Sequence, residues 1–118
     1  MSGDQVKQIL SEQNVTYEFM YIKSSFYMIL YESTWKGYMA ATTVSVKYDI
    51  VDHITYDFAP FKIMASAQSD LKMKLFNAVG VGSNEPIETT DGWIKSNPKR
   101  GVTISYKKAS EMQIIYGK

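Results

Sequence analysis

The sequence predicts an α+β fold: a mainly antiparallel sheet of about six to eight strands built from hairpins, with two helices on one face. Three observations predict it. Val44, Val46, Tyr48, Ile50, Ile54, Tyr56 and Phe58 keep step-two spacing, broken only by Asp52, and alternate side chains of a strand share one face. Two stretches, about 4–13 and 66–79, carry apolar residues at helical spacing instead. Turn-forming groups such as Asp91-Gly92 and Asn97-Pro98-Lys99-Arg100-Gly101 punctuate short alternating runs.

The first helix is expected over 4–13, with Val6, Ile9 and Leu10 on its apolar face. Ser2 or Asp4 suits its cap and Asn14 its end. An aromatic hairpin follows. With Lys23-Ser24 as loop, Tyr21 faces Phe26, Phe19 faces Met28 and Tyr17 faces Leu30, and a four-residue loop, Ile22 to Ser25, keeps that register. The other face then carries Tyr27, Ile29 and Tyr31, so both faces are apolar. Ser33 to Ala41 reads as a connector holding Trp35, Gly37 and Tyr38.

The alternating row from Val44 to Phe58 reads best as a second hairpin with Val51-Asp52-His53 as its loop. Ile50 then pairs with Ile54, Tyr48 with Tyr56 and Val46 with Phe58. One unbroken strand would be far longer than the usual five or six residues, roughly, and would bury an aspartate. Past Pro60, Leu71, Leu75, Phe76 and Val79 mark the second helix, with Ser66 or Ser69 as cap and Gly80 as stop. Short strands are expected at Ile87–Thr89 and Trp93–Lys95. A last hairpin pairs Val102, Ile104 and Tyr106 with Met112, Ile114 and Tyr116 around Lys108-Ala109-Ser110, which sets Lys107 opposite Glu111.

At 118 residues, 45% of them hydrophobic and 14% aromatic, the chain is expected to form one globular domain, 1–118. It has no cysteine, which excludes disulfides, thiolate zinc sites and a cysteine nucleophile, and fits a reducing compartment. Met1-Ser2-Gly3-Asp4-Gln5 does not open a secretion signal, and no apolar run approaches a membrane span. A cytoplasmic protein without membrane contact is therefore expected. The net charge of +1 is uneven: residues 1–60 hold four lysines against seven acids, and residues 61–118 nine basic residues against five acids.

No motif of high specificity for catalysis or a cofactor is present. Asp49, Asp52, His53 and Asp57 offer oxygen and imidazole ligands near one turn, but such a set is also an ordinary solvated turn. No metal site and no cofactor is therefore expected, and a small metal-dependent enzyme centred on His53 is a second alternative. His53 has no glycine-flanked serine elbow to serve as its nucleophile. Glu85 and Glu88 are a further acid pair, in a chain small for a glycoside cleft. Gly80 to Asn84 follows a helix, whereas a phosphate loop opens one.

Trp93, Lys95, Lys99, Arg100, Lys107 and Lys108 form a basic segment within 92–108 that suits nucleic-acid contact, with lysines on phosphates and an aromatic ring on a base. A lysine-rich sheet edge reads the same way and guards against aggregation, and one arginine is few for a nucleic-acid reader. Nine tyrosines, five phenylalanines, two tryptophans and seven methionines exceed the needs of one small core, and such residues favour interaction surfaces. The favoured expectation is a non-enzymatic interaction or assembly module, an adaptor, inhibitor or structural component of the kind found in phages and mobile elements. It would pair with itself and with another protein through Tyr27, Ile29, Tyr31, Trp35 and Tyr38. The order of elements is similar to that of several small dimeric α+β scaffolds, secretion-chaperone-like folds among them, and order alone carries no function.

Overall fold

The computed structural model describes residues 1–61, 63–80, 93–97, 99–107 and 111–117. Helix α1 (Gly3–Glu12) starts because Ser2 and Gln5 satisfy each other's backbone. The Ser2 hydroxyl accepts from the Gln5 N–H at 3.3 Å, and the Gln5 side chain accepts from the Ser2 N–H at 2.8 Å. Strands β1 (Tyr17–Lys23), β2 (Phe26–Trp35), β3 (Tyr38–Lys47) and β4 (Ile50–Asp57) follow as successive hairpins. Helix α2 (Ala65–Val79) leads to β5 (Trp93–Asn97), β6 (Val102–Lys107) and β7 (Glu111–Gly117). All seven strands join one antiparallel sheet in the order β1-β2-β3-β4-β7-β6-β5, so the expected α+β class and mainly antiparallel sheet are correct.

Both helices lie on one face, and β3 shows why. Its even positions Ala40, Thr42, Val44 and Val46 are all buried, while Met39 and Lys47 on the odd side are exposed. Ala40 belongs to a cluster with Leu71, Leu75 and Val79 of α2, Phe58, Ile104, Met112 and Ile114. Val44 and Val46 belong to a second cluster with Val6 and Leu10 of α1 and Ile29. Two cores therefore sit side by side on a single face. No helix covers the other face among the described residues.

The register departs from expectation in the first two hairpins. Tyr21 pairs with Tyr27, Phe19 with Ile29 and Tyr17 with Tyr31, while Lys23 pairs with Phe26. Ile22 is an extra residue, a bulge, and a one-residue shift moves every partner side chain to the other face. Tyr27, Ile29 and Tyr31 therefore point towards α1, and Phe26, Met28 and Leu30 point outward. The second hairpin turns at Tyr48-Asp49, both at positive φ (52° and 59°), and not at Val51-Asp52-His53. Val46 pairs with Val51, Val44 with Ile54 and Thr42 with Tyr56. Asp52 is the bulge there, and it returns Ile54, Tyr56 and Phe58 to the buried side after the turn has changed their parity.

The expected connector over Ser33–Ala41 is strand on both sides of a Lys36-Gly37 turn, where both residues have positive φ. This is the mirror-image turn that matches strand twist. Ile9 faces outward at 38% exposure, since Gly3, Val6 and Leu10 form the buried side of the helix. α2 begins a residue earlier than expected, with Met64 at the cap position and no side-chain cap bond, so Ser66 falls inside the first turn. The final hairpin has the expected register, Tyr106 opposite Met112 and Lys107 opposite Glu111. The strand at Ile87–Thr89, the turn at Asp91-Gly92 and the loop Lys108-Ala109-Ser110 lie outside the described residues.

Candidate interaction surface

The five residues expected to form one exposed contact patch are built into the inner face. Ile29 is fully buried against Val44 and the α1 core. Trp35 is buried in the α2 core, edge-on to Phe58, and its indole N–H donates to the Tyr116 hydroxyl at 2.8 Å. Tyr27 and Tyr31 pack on the α1 cluster. Burial raises the pKa of both hydroxyls, with Asp49 and Asp4 adding a smaller push at Tyr27. Tyr38 donates to Asp70 Oδ2 at 2.5 Å, and Lys74 Nζ holds the same carboxylate at 3.1 Å. The patch is thus corrected. The Ile22 bulge exchanges the two faces of β2, and the Lys36-Gly37 turn folds Trp35 and Tyr38 under α2.

The face exposed by the same bulge is also apolar. Met20 is opposite Met28, Leu30 is one step along, and Phe26 flanks them. Met20 and Ile22 are each about half exposed, at 49% and 50%, and Met39 on β3 is 44% exposed. Beyond this corner the outer face turns mainly to hydroxyls: Thr43, Ser45, Thr55, Thr103 and Ser105 occupy outward register positions, with Ile115 of β7 between Thr55 and Thr103. A groove of about 610 Å³ runs beside the patch, lined by Val15, Tyr17, Leu30 and Ala41 with Glu18 and Glu32. Apolar walls with two carboxylates at the rim suit a protein contact better than a polyanion.

No protein family, curated protein or solved structure matches this chain.

The other expected sites fall as follows. The guanidinium of Arg100 donates to the Asn77 and Ala78 carbonyls, both at 3.3 Å, and Asn97 donates to the Val79 carbonyl at 2.7 Å. Together they close the last turn of α2, whose terminus is Gly80 in the left-handed conformation. A cation on the negative end of a helix is stabilising, so Arg100 has a structural role. Lys99 is exposed in the turn before β6. Trp93 and Lys95 stand on β5 and Lys107 on β6 by register, while Lys108 lies outside the described residues.

His53 Nδ1 lies 2.5 Å from Asp52 Oδ2. Asp49 is in the preceding turn, and Asp57 accepts from the Ala59 N–H. Among the described residues no group of three or more such side chains is placed to hold a metal ion. The outer patch was missed by sequence reading because its signal, alternation in β1 and β2, is equal on both faces. Only the bulge decides between them.

Proposed function

We propose that this chain is a non-enzymatic protein-interaction module of the cytoplasm that associates with a copy of itself and presents the open face of its sheet to a protein partner. The observation that supports this most is the outer corner formed by Met20, Phe26, Met28 and Leu30, with the half-exposed bulge residue Ile22 beside it, apolar residues on a face that no described helix covers. Methionine adapts its shape to a partner at low cost, and an apolar patch ringed by polar residues is the usual mark of a contact site. The carboxylates Glu18 and Glu32 and the hydroxyl lawn form that rim. No described helix is long and apolar enough to cross a membrane, and the absence of cysteine suits a reducing compartment.

Sedimentation of the purified protein over a wide concentration range tests the self-association, and the expected result is a reversible rise in mass. Leu30→Glu, on the exposed face, is expected to abolish partner capture and leave the circular dichroism spectrum unchanged. Wild-type behaviour of that variant, or a strictly monomeric wild type, would overturn the reading. The occupied Arg100 and the acidic rim weigh against the nucleic-acid alternative.

A further inference from the structure

We infer that two copies join edge to edge through β1, in antiparallel pairing about a two-fold axis at Met20, so that the two sheets become one. This deepens the proposed self-association and rests on it. β1 is the first strand of the sheet and, among the described residues, pairs only with β2. Among the described residues its other side makes no backbone hydrogen bond to a turn, loop or helix. Edge strands are normally blunted by proline, inward charge or a covering segment. β1 reads Tyr-Glu-Phe-Met-Tyr-Ile-Lys, with one charge near each end and Met20, Tyr21 and Ile22 at 49%, 75% and 50% exposure. That is a sticky edge unless something of matching geometry occupies it.

Charge selects the register. In antiparallel pairs, opposed residues share a face. Glu18 and Met20 point outward, Phe19 and Tyr21 inward. Because Ile22 is the extra residue, Lys23 pairs with Phe26 and shares the outward face of Glu18. With the axis at Met20, and with Ile22 the extra residue in the new ladder as it is against β2, each Glu18 meets the other copy's Lys23, and each Phe19 meets the other copy's Tyr21. Among the described residues neither Glu18 nor Lys23 has an ion-pair partner within the chain. Moving the axis to Phe19 sets Glu18 against Met20, and moving it to Glu18 sets like charges face to face. Only the Met20 axis satisfies both ends. It also brings the two Met20–Met28–Leu30 corners together, which doubles the apolar platform offered to a partner.

The chain has no cysteine, so single cysteines report on the axis cleanly. In Met20→Cys the two thiols sit directly opposed, within disulfide reach, and oxidised glutathione is expected to convert the protein to a covalent dimer much faster than it converts Met39→Cys, far from the axis on the same face. K23E is expected to weaken the dimer by roughly tenfold, and E18K combined with K23E to restore it to about the wild-type level. Preferential cross-linking with that rescue supports the pairing. Self-association that ignores K23E, or that cross-links both cysteine variants alike, overturns the edge geometry and leaves the interaction reading standing. A chain that sediments as a monomer throughout overturns both.

Discussion

At the scale of single residues, the polar side chains of the α2 half carry specific structural work. Trp35 is buried, and its indole N–H has the Tyr116 hydroxyl as acceptor across the sheet. Tyr116→Phe keeps the ring packed edge-on to Tyr56 but leaves that donor unsatisfied. It is expected to cost about 1–2 kcal/mol in denaturant unfolding, and an unchanged midpoint would show that the bond contributes nothing. Asp70 has its pKa lowered, first by the Tyr38 hydroxyl and next by Lys74. Tyr38 has its pKa raised, chiefly by the same bond to Asp70. A depressed carboxylate contributes stability above its unfolded pKa, near 3.8, and loses it as pH falls through the lower folded value. The raised tyrosine contributes below 10.0 and loses it as pH rises through the higher folded value. Asp70→Asn should therefore be less stable than the wild type at neutral pH, and the gap should close in acid, below roughly pH 4. A gap of constant size across urea titrations at several acid pH values would separate the Tyr38–Asp70 bond from stability. In alkali the wild type also loses the contributions of half-buried Tyr31 and Tyr56, whose pKa values burial raises, so Tyr38→Phe should blunt that loss only in part.

At the scale of elements, the sequence discloses which segments are strands and helices more readily than how strands pair. Alternation survives in the chain whether a turn holds two residues or three, since a bulge can repair the parity that a turn changes. The Val44–Phe58 row is the clearest case. Its unbroken spacing conceals a turn at Tyr48-Asp49 and a bulge at Asp52 whose parity effects cancel. Asp52, the one polar residue in the row, marks the bulge and not a loop. The first hairpin hid its register for a related reason. Ser24-Ser25 is a two-residue connection without positive φ, so it is not the mirror-image turn that hairpins favour, and the bulge at Ile22 stands beside it. Where both faces of a ribbon are apolar, hydrophobicity cannot choose between registers. The final hairpin was legible because Lys107 and Glu111 add a charge pair to the alternation. Deleting Ile22 tests this account. Tyr21 would still face Tyr27 and Lys23 would still face Phe26, so the protein is expected to fold with a stability change within about 1 kcal/mol. A Tyr27 that becomes solvent-exposed in the deletion variant, read by its fluorescence quenching, would show that the bulge is needed for the register.

At the scale of the whole molecule, one sheet carries two cores on one face, and no described helix covers the other. The sequence showed the helices, their common face and the apolar excess, but not which strand positions each helix covers, because that follows from the register. The row Tyr31–Thr42–Tyr56 crosses the sheet between the two clusters. Thr42 is buried there, its hydroxyl on a long 3.5 Å bond to the Ala40 carbonyl, so the cores meet across a polar seam. The two halves are held unequally. α2 buries Leu71, Leu75 and Val79, and Arg100 and Asn97 close its end. α1 buries Gly3, Val6 and Leu10, of which the last two bring side chains to the core, with the Met1 carbonyl accepting from the Val51 N–H at 2.8 Å as a backbone tie to β4. Fewer buried side chains give a lower cost of local opening. Amide exchange in α1 is therefore expected to outpace that in α2. Leu10→Ala, costing about 2–5 kcal/mol by lost burial and cavity formation, should speed exchange in α1, β1 and β2 and spare β6 and β7. Equal acceleration in every strand would mean that the seam at Thr42 is no boundary and the sheet opens as one unit. Selective acceleration would place the proposed β1 edge on the more labile half, where joining a second copy would add protection to β1 first.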